Sequence, residues 1–337
     1  MKYIIYILIL LFLIIIYRFF INYYVKSKYD IYNLSKKANG TIINFDFDIN
    51  LPLYRAHNTS IIKNNNGYIL YTRYSTYNCN SLSLISKQLE KINNYKYYTQ
   101  EYVIKSYVDK DFNIIDYKLL SIGLPYENIH DLRVFNFNNK NYLIGTNQYY
   151  DLINHYVYPV LVDENMNYLK LYINNIDNIK KIITKNWSPL IHNNKLFFIH
   201  NHNPLTIVEP NLETGKCNII FKGKYKKNIP KLCGNTPYLN IGKNRYLALV
   251  HHYETISGRH YLHYFVMINF RNEKYPYIEK LSRSFCFEGN CGIEFAMGLT
   301  ESHDNKSFII TYGKNDCSSK ALIISKASVF SLFKKLN

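Results

Sequence analysis

Two short stretches carry the residue types from which acid–base chemistry can be built. Asp131-Leu132-Arg133 sets a carboxylate two residues before a guanidinium. Tyr312-Gly313-Lys314-Asn315-Asp316 ends an apolar run with a glycine and a short acid, the way a sheet delivers a carboxylate to its rim. Further polar residues recur at matching places along the chain: Asn58 and Arg73; Lys185, Asn186 and Trp187; Asn235, Thr236 and His251; and Glu294. Carboxylates and amides suit hydroxyl groups, the single Trp offers an aromatic face, and cations suit an anionic leaving group or nucleophile. Each also has a plainer role. Asp131 and Arg133 can be an ion pair on a strand, Trp187 can be core, and 312–316 can be a polar turn.

The elements that must position these residues read as hairpins. Residues 43–49 alternate apolar and polar, the period of a half-buried strand. Hairpins follow with turns at 64–67, 109–111, 138–140, 163–166, 193–194, 213–215, 242–244 and 303–306, and 82–94 reads as a short inserted helix. Taken in twos, they make units beginning near Thr59, Asp131, Ser188, Thr236 and Glu294. This predicts an all-β, five-bladed β-propeller over 41–337, with strand 43–49 closing the last blade from the N-terminal side. A sandwich of similar strand number is the other reading. In a propeller the ends of the inner strands meet at the central channel, so residues far apart in sequence can share one site.

Composition bounds the function. The 337 residues are 47% hydrophobic and 19% charged, an ordinary globular balance. The 41 Lys+Arg against 24 Asp+Glu give a formal charge of +17, which favours anionic partners. No basic block interleaved with aromatics marks a nucleic-acid surface, and none is expected to bind. The 6 Cys include no Cys-x-x-Cys spacing, while Cys286 and Cys291 are close enough in sequence to close a small loop in an oxidising lumen. Adjacent His251 and His252 point to opposite strand faces, and neither they nor the His200 and His202 pair is expected to hold a metal.

Residues 3–17 form a run without charge, and an apolar continuation follows Arg18. Together they reach the ~20 residues a bilayer needs, with no small-residue cleavage site behind them. We therefore expect an uncleaved signal anchor over 1–28, one N-terminal transmembrane helix preceding the propeller, and a stalk over 29–40. The basic residues on its two sides leave open which face of the membrane the domain occupies.

Five segments in order, Arg55-Ala-His-Asn-Thr-Ser60, His130-Asp-Leu-Arg-Val-Phe135, Lys185-Asn-Trp-Ser-Pro189, Cys233-Gly-Asn-Thr-Pro237 and Tyr312-Gly-Lys-Asn-Asp316, resemble the five-bladed propeller enzymes of the β-mannoside phosphorylase and hydrolase class, glycoside hydrolase family 130. The chain also resembles related propeller modules found with glycosyltransferases. The resemblance, which covers most of 41–330, implies action on a glycan or sugar phosphate by inverting transfer, phosphorolysis or hydrolysis of a mannoside-like bond, and the N-terminal run adds a membrane anchor. It implies no cofactor, with inorganic phosphate as the co-substrate of a phosphorylase. Asp131 would be the general acid, Arg133 its support and Asp316 a ligand of sugar hydroxyls. Asn58, Arg73, Lys185, Asn186, Trp187 and His251 would line the sugar or phosphate subsites. His130 and Leu132 depart from the Glu and Pro that flank the acid in that class, and a catalytically silent glycan- or protein-binding propeller is the alternative.

Overall fold

The computed structural model describes residues 2–29, 32–47, 55–75, 101–120, 129–150, 155–173, 185–254, 259–272, 274–289 and 292–335. The helix expected at 82–94 lies outside these residues. Five sheets follow one another along the chain. Blade 1 comprises Arg55–Asn64, Gly67–Ser75, Glu101–Asp109 and Ile114–Leu120, and blade 2 comprises Ile129–Phe137, Lys140–Tyr150, His155–Val162 and Tyr168–Lys170. Blade 3 runs outward from Ser188–His192 through Lys195–His202 and Leu205–Pro210 to Lys216–Lys222, with Tyr172–Ile173 added at its edge. Blade 4 is built on Arg245–Glu254 and His260–Asn269, with Cys233–Gly234 and Leu239–Asn240 inside them and Tyr277–Ser282 outside. Blade 5 holds Glu294–Glu301, Ser307–Lys314 and Ser318–Ser325.

Its outer strand is Thr41–Phe45, paired antiparallel from Thr41 against Ile323 to Phe45 against Ser319. The closing strand is thus supplied from the N-terminal side as expected, but it starts two residues earlier and ends at Phe45. Several hairpin turns use paired left-handed residues, Asn138 with Asn139 and Asn193 with Asn194 (φ 49° to 60°). That geometry matches the twist of the flanking strands, and Asn adopts it more readily than branched residues.

Closure of the ring is written in the core. Successive residues of a strand face opposite sides, so each blade contributes alternate side chains to its two neighbours. Leu247 and Leu249 pack with Phe308 and Ile310 of blade 5, whereas Ala248 and Val250 pack with Leu190 and Ile199 of blade 3. Phe198 joins Phe135 of blade 2, and Val134 joins Ile69 and Tyr71 of blade 1. The remaining cluster sets Ile309 and Phe45 of blade 5 against Ile61 and Leu70 of blade 1. Every pair of adjacent blades, including last and first, therefore shares an apolar interface, which a two-sheet sandwich does not produce.

The N-terminal helix spans Lys2–Tyr29, and its apolar side chains are exposed, Ile4 and Ile15 among them. Among the described residues no helix is long and apolar enough to cross a membrane. Cys286 and Cys317 are each disulfide-bonded, while Cys217 and Cys233 are free thiols. Cys291 lies outside the described residues.

Candidate active site

The innermost strands begin at one end of the ring, and three of them carry, within three residues of their start, a residue in the left-handed backbone region: Asn58 (φ 53°), Asp131 (φ 59°) and Asn186 (φ 64°). At two of these the ladder loses register, between His57 and Thr59 and between His130 and Arg133. A bulge there bends the strand and re-aims a side chain, and Asn and Asp tolerate the conformation. The recurrence of short polar residues at blade starts is thus a backbone requirement as well as a chemical one.

Asn58 Nδ2 donates to Asp131 Oδ1 at 3.1 Å, and Arg73 Nη1 lies 4.0 Å from the same oxygen. Asn58 is 3% exposed, yet the Asp131 side chain is 24% exposed. The carboxyl is therefore fixed from behind by an amide and a cation while its outer side remains open to a ligand. His57, beneath this pair, shares a 2.9 Å hydrogen bond with Ser75 Oγ.

Arg133 turns the other way. It is fully buried; its Nε donates to the backbone carbonyl of Asn235, its Nη2 donates to Asn186 Oδ1 at 3.0 Å, and its guanidinium lies 5.9 Å from the centre of the Phe295 ring. Burial pushes its pKa down to about 10, against the opposing pull of Asp131. Asn235 continues the network: its Nδ2 donates to the Ala296 carbonyl at 2.9 Å, and its Oδ1 pairs with His251 Nδ1 at 2.5 Å. An amide oxygen only accepts, so His251 donates from Nδ1 and its Nε2 is left as an acceptor. Ser60 joins the remaining blade by donating to the Met297 carbonyl at 3.3 Å and accepting from Val134 N at 2.9 Å. One polar network around the axis thus touches all five blades, with Arg133 and Asn235 as its hubs.

Asp316 sits in a left-handed corner with Asn315 (φ 53° and 56°). A relay of hydrogen bonds fixes that corner. Buried Glu294 accepts from the backbone N–H groups of Phe287 at 2.6 Å and Glu288 at 3.1 Å. The Glu288 carboxylate then accepts from Tyr312 OH and Lys320 Nζ, each at 2.9 Å, and from Lys314 Nζ. Glu294 is therefore committed to the backbone, and burial pushes its carboxyl pKa up.

Tyr261, which its sequence context does not single out, links the two acidic corners. Its ring centroid lies 5.3 Å from that of His251 and 5.7 Å from that of Phe295. Burial raises its phenol pKa, Arg259 opposes this, and the negative charges of both Asp131 and Asp316 add to the rise. The charge of exposed Lys185 reaches His130 and His251 on the same end of the ring. Trp187 is the exception. It is 1% exposed and packs between blades 2 and 3, with ring centroids 6.0 Å from Phe198 and 5.3 Å from His200, so it offers no open face to a ligand. Among the described residues no group of three or more His, Cys, Asp or Glu is placed to hold a metal ion.

Two expected results follow from this packing. A Cβ on Gly313 would meet Asn58 Oδ1 at 1.9 Å and Asn58 N at 3.0 Å. Gly313→Ala should displace the amide behind Asp131, lower turnover at least about tenfold and cost about 1–3 kcal/mol of stability, read by kinetics and urea unfolding of one preparation. Buried histidines set the acid limit. Burial holds His202 and His263 down to about 3, and burial followed by the charges of His263, Arg133 and Lys185 holds His251 well below its usual range. A folded pKa below the unfolded one means the unfolded chain binds more protons on acidification. Stability is therefore full above about pH 6.5 and should fall as pH drops toward the folded values, by up to about 2 kcal/mol per histidine at about pH 5. Unfolding midpoints across that window, for the wild type and His202→Gln, check the sign; a flat profile would contradict it.

The fold is a five-bladed β-propeller with a polar network around its axis. Among solved structures the chain is similar to a mannose phosphorylase from Leishmania mexicana in complex with a phosphate ion, at TM-score 0.58 and 12% identity over 93% of this chain and 96% of that one. It is similar to a β-1,2-mannobiose phosphorylase from Listeria innocua in complex with β-1,2-mannobiose (0.57, 11%, 86% and 96%), and to a GDP-Man-dependent mannosyltransferase from Leishmania mexicana (0.56, 10%, 85% and 89%). No protein-family model and no curated protein matches the chain. At these identities the likeness is one of fold.

Proposed function

We propose that the chain is a membrane-anchored carbohydrate-active enzyme that cleaves or transfers a mannoside-like glycosyl unit with inversion, using Asp131 as the general acid. The observation that carries this reading is the setting of Asp131: a half-open carboxyl at the mouth of the axis, clamped by Asn58 and faced by Arg73. In the reaction the Asp131 carboxyl passes its proton to the glycosidic oxygen as the anomeric C–O bond breaks. A phosphate oxygen or a water attacks that carbon from the opposite face, so one displacement inverts the centre. Arg73 and Lys185 supply positive charge on the site's end of the ring, suited to phosphate or a sugar phosphate. Asp316 is an acceptor for sugar hydroxyls, while His251, buried like Trp187, acts by holding Asn235. Arg133 acts through position: it holds the strand that carries Asp131 against blades 3 and 4. The solved neighbours, two phosphorylases and a mannosyltransferase, support this substrate class through their shared architecture.

The N-terminal helix is the proposed membrane anchor, supported by the charge-free apolar run at 3–17 and its exposed side chains. Detergent-solubilised full-length chain offered mannosides with and without phosphate, mannose 1-phosphate and nucleotide sugars tests the activity. Turnover in one of these arms is expected. Saturable glycan binding without turnover in any would replace the enzyme by a binding module.

A further inference from the structure

At the end of the ring opposite the candidate site, blade 4 carries a groove of about 470 Å³ lined by Ile241, Gly242, Lys243, Arg245, Met267, Lys280, Phe330 and Phe333. Its floor is apolar and its rim is cationic, and no acidic residue lines it. Arg245 is partly neutralised by Glu279, whose Oε2 lies 2.9 Å from Arg245 Nε, but Lys243 and Lys280 are exposed. The geometry of the chain entry bears on what this rim meets. Tyr32–Asn33 pairs in parallel with Phe285–Cys286, and Tyr32 N donates to the Ser284 carbonyl, so the first residue of this strand lies toward the end that holds Ser282, Leu281 and Lys280. The N-terminal helix ends at Tyr29, three residues earlier in the chain, so its end lies within about 11 Å of Tyr32. More positive charge gathers at this junction. Arg283 and Lys37 lie 5.0 and 5.3 Å from the centre of the Tyr32 ring, and exposed Lys334 follows Phe333 of the groove, which pairs with Ser282.

We propose that this groove and the basic collar beside it rest on the anionic lipid headgroups of the membrane that holds the N-terminal helix, turning the mouth of the active site away from the bilayer. The proposal rests on the anchor reading. Lysines above an anionic leaflet are drawn to it within a Debye length, and an apolar floor between them accepts the boundary of the acyl region. Such docking fixes an orientation that a single helix cannot fix alone.

The test reconstitutes the full-length chain in nanodiscs of phosphatidylcholine alone or mixed with phosphatidylserine, then measures lysine-reactive labelling of Lys243 and Lys280. Lys222, at the other end of blade 3, is the internal reference. Both groove lysines should label about fivefold more slowly in the anionic discs, Lys222 should be unchanged, and Lys243→Glu should abolish the protection of Lys280. Equal labelling in both discs, with the chain retained after an alkaline carbonate wash, would overturn the docking surface and leave the anchor standing. Release of the chain by the wash would overturn both. Equal protection by inorganic phosphate in neutral discs would assign the groove to a free anion and overturn the lipid surface.

Discussion

Asp131→Asn is expected to lower turnover by about 10²–10⁴-fold while leaving the fold intact, the range for loss of a positioned general acid. The substitution keeps the side-chain volume and the tolerance of φ 59° that the bulge demands. Its amide oxygen can still accept from Asn58 Nδ2, so stability should stay within about 1 kcal/mol of wild type. The loss should appear in kcat with little change in KM, because the proton is needed at bond breaking rather than in the bound ground state. A matching change in KM at constant kcat would make Asp131 a binding group. Unaltered kinetics would remove it from the mechanism.

Arg133→Met should have the largest effect on stability, about 2–5 kcal/mol by urea unfolding, because it leaves the Asn235 carbonyl and Asn186 Oδ1 buried without their donor. Arg133→Lys should recover only part of this. One ammonium on a shorter stem cannot serve two acceptors on two blades in the divergent directions that a guanidinium spans. Activity in the lysine variant should fall further than its stability accounts for, since the strand start bearing Asp131 is no longer pinned. A stability change under about 1 kcal/mol in the methionine variant would show that the network around the axis is not held by Arg133.

The blades were legible because Asn, Gly and Asp turns punctuate strands of strict alternation, and left-handed Asn pairs such as Asn193-Asn194 both mark and make the hairpins. Closure was legible only as a spare strand; what established it was which blade each alternate side chain faces. The same property hid the fate of Trp187. A tryptophan at a blade start can face the axis or the next blade, and nothing beside Ser188 and Pro189 tells which, so it reads equally as a sugar platform and as core. The directions of Asp131 and Arg133 were hidden for a related reason. Two residues apart on a regular strand they would share a face, but the bulge between His130 and Arg133 sends one to the channel and the other into the interior. Glu294 reads in sequence only as one of the recurring polar residues, because its partners, the N–H groups of Phe287 and Glu288, are backbone atoms that no sequence pattern displays. Tyr261 and the hub role of Asn235 arise wholly from contacts between blades.

The most direct measurement of the central claim is proton NMR of the first-formed sugar from a β-mannoside offered to the full-length chain with and without phosphate, beside Asp131→Asn. The expected first product is α-configured, mannose 1-phosphate where phosphate is the acceptor and mannose where water is, and the variant should form it at least about a hundredfold more slowly. A β-configured first product, or an undiminished rate from the variant, would contradict a single inverting displacement driven by Asp131.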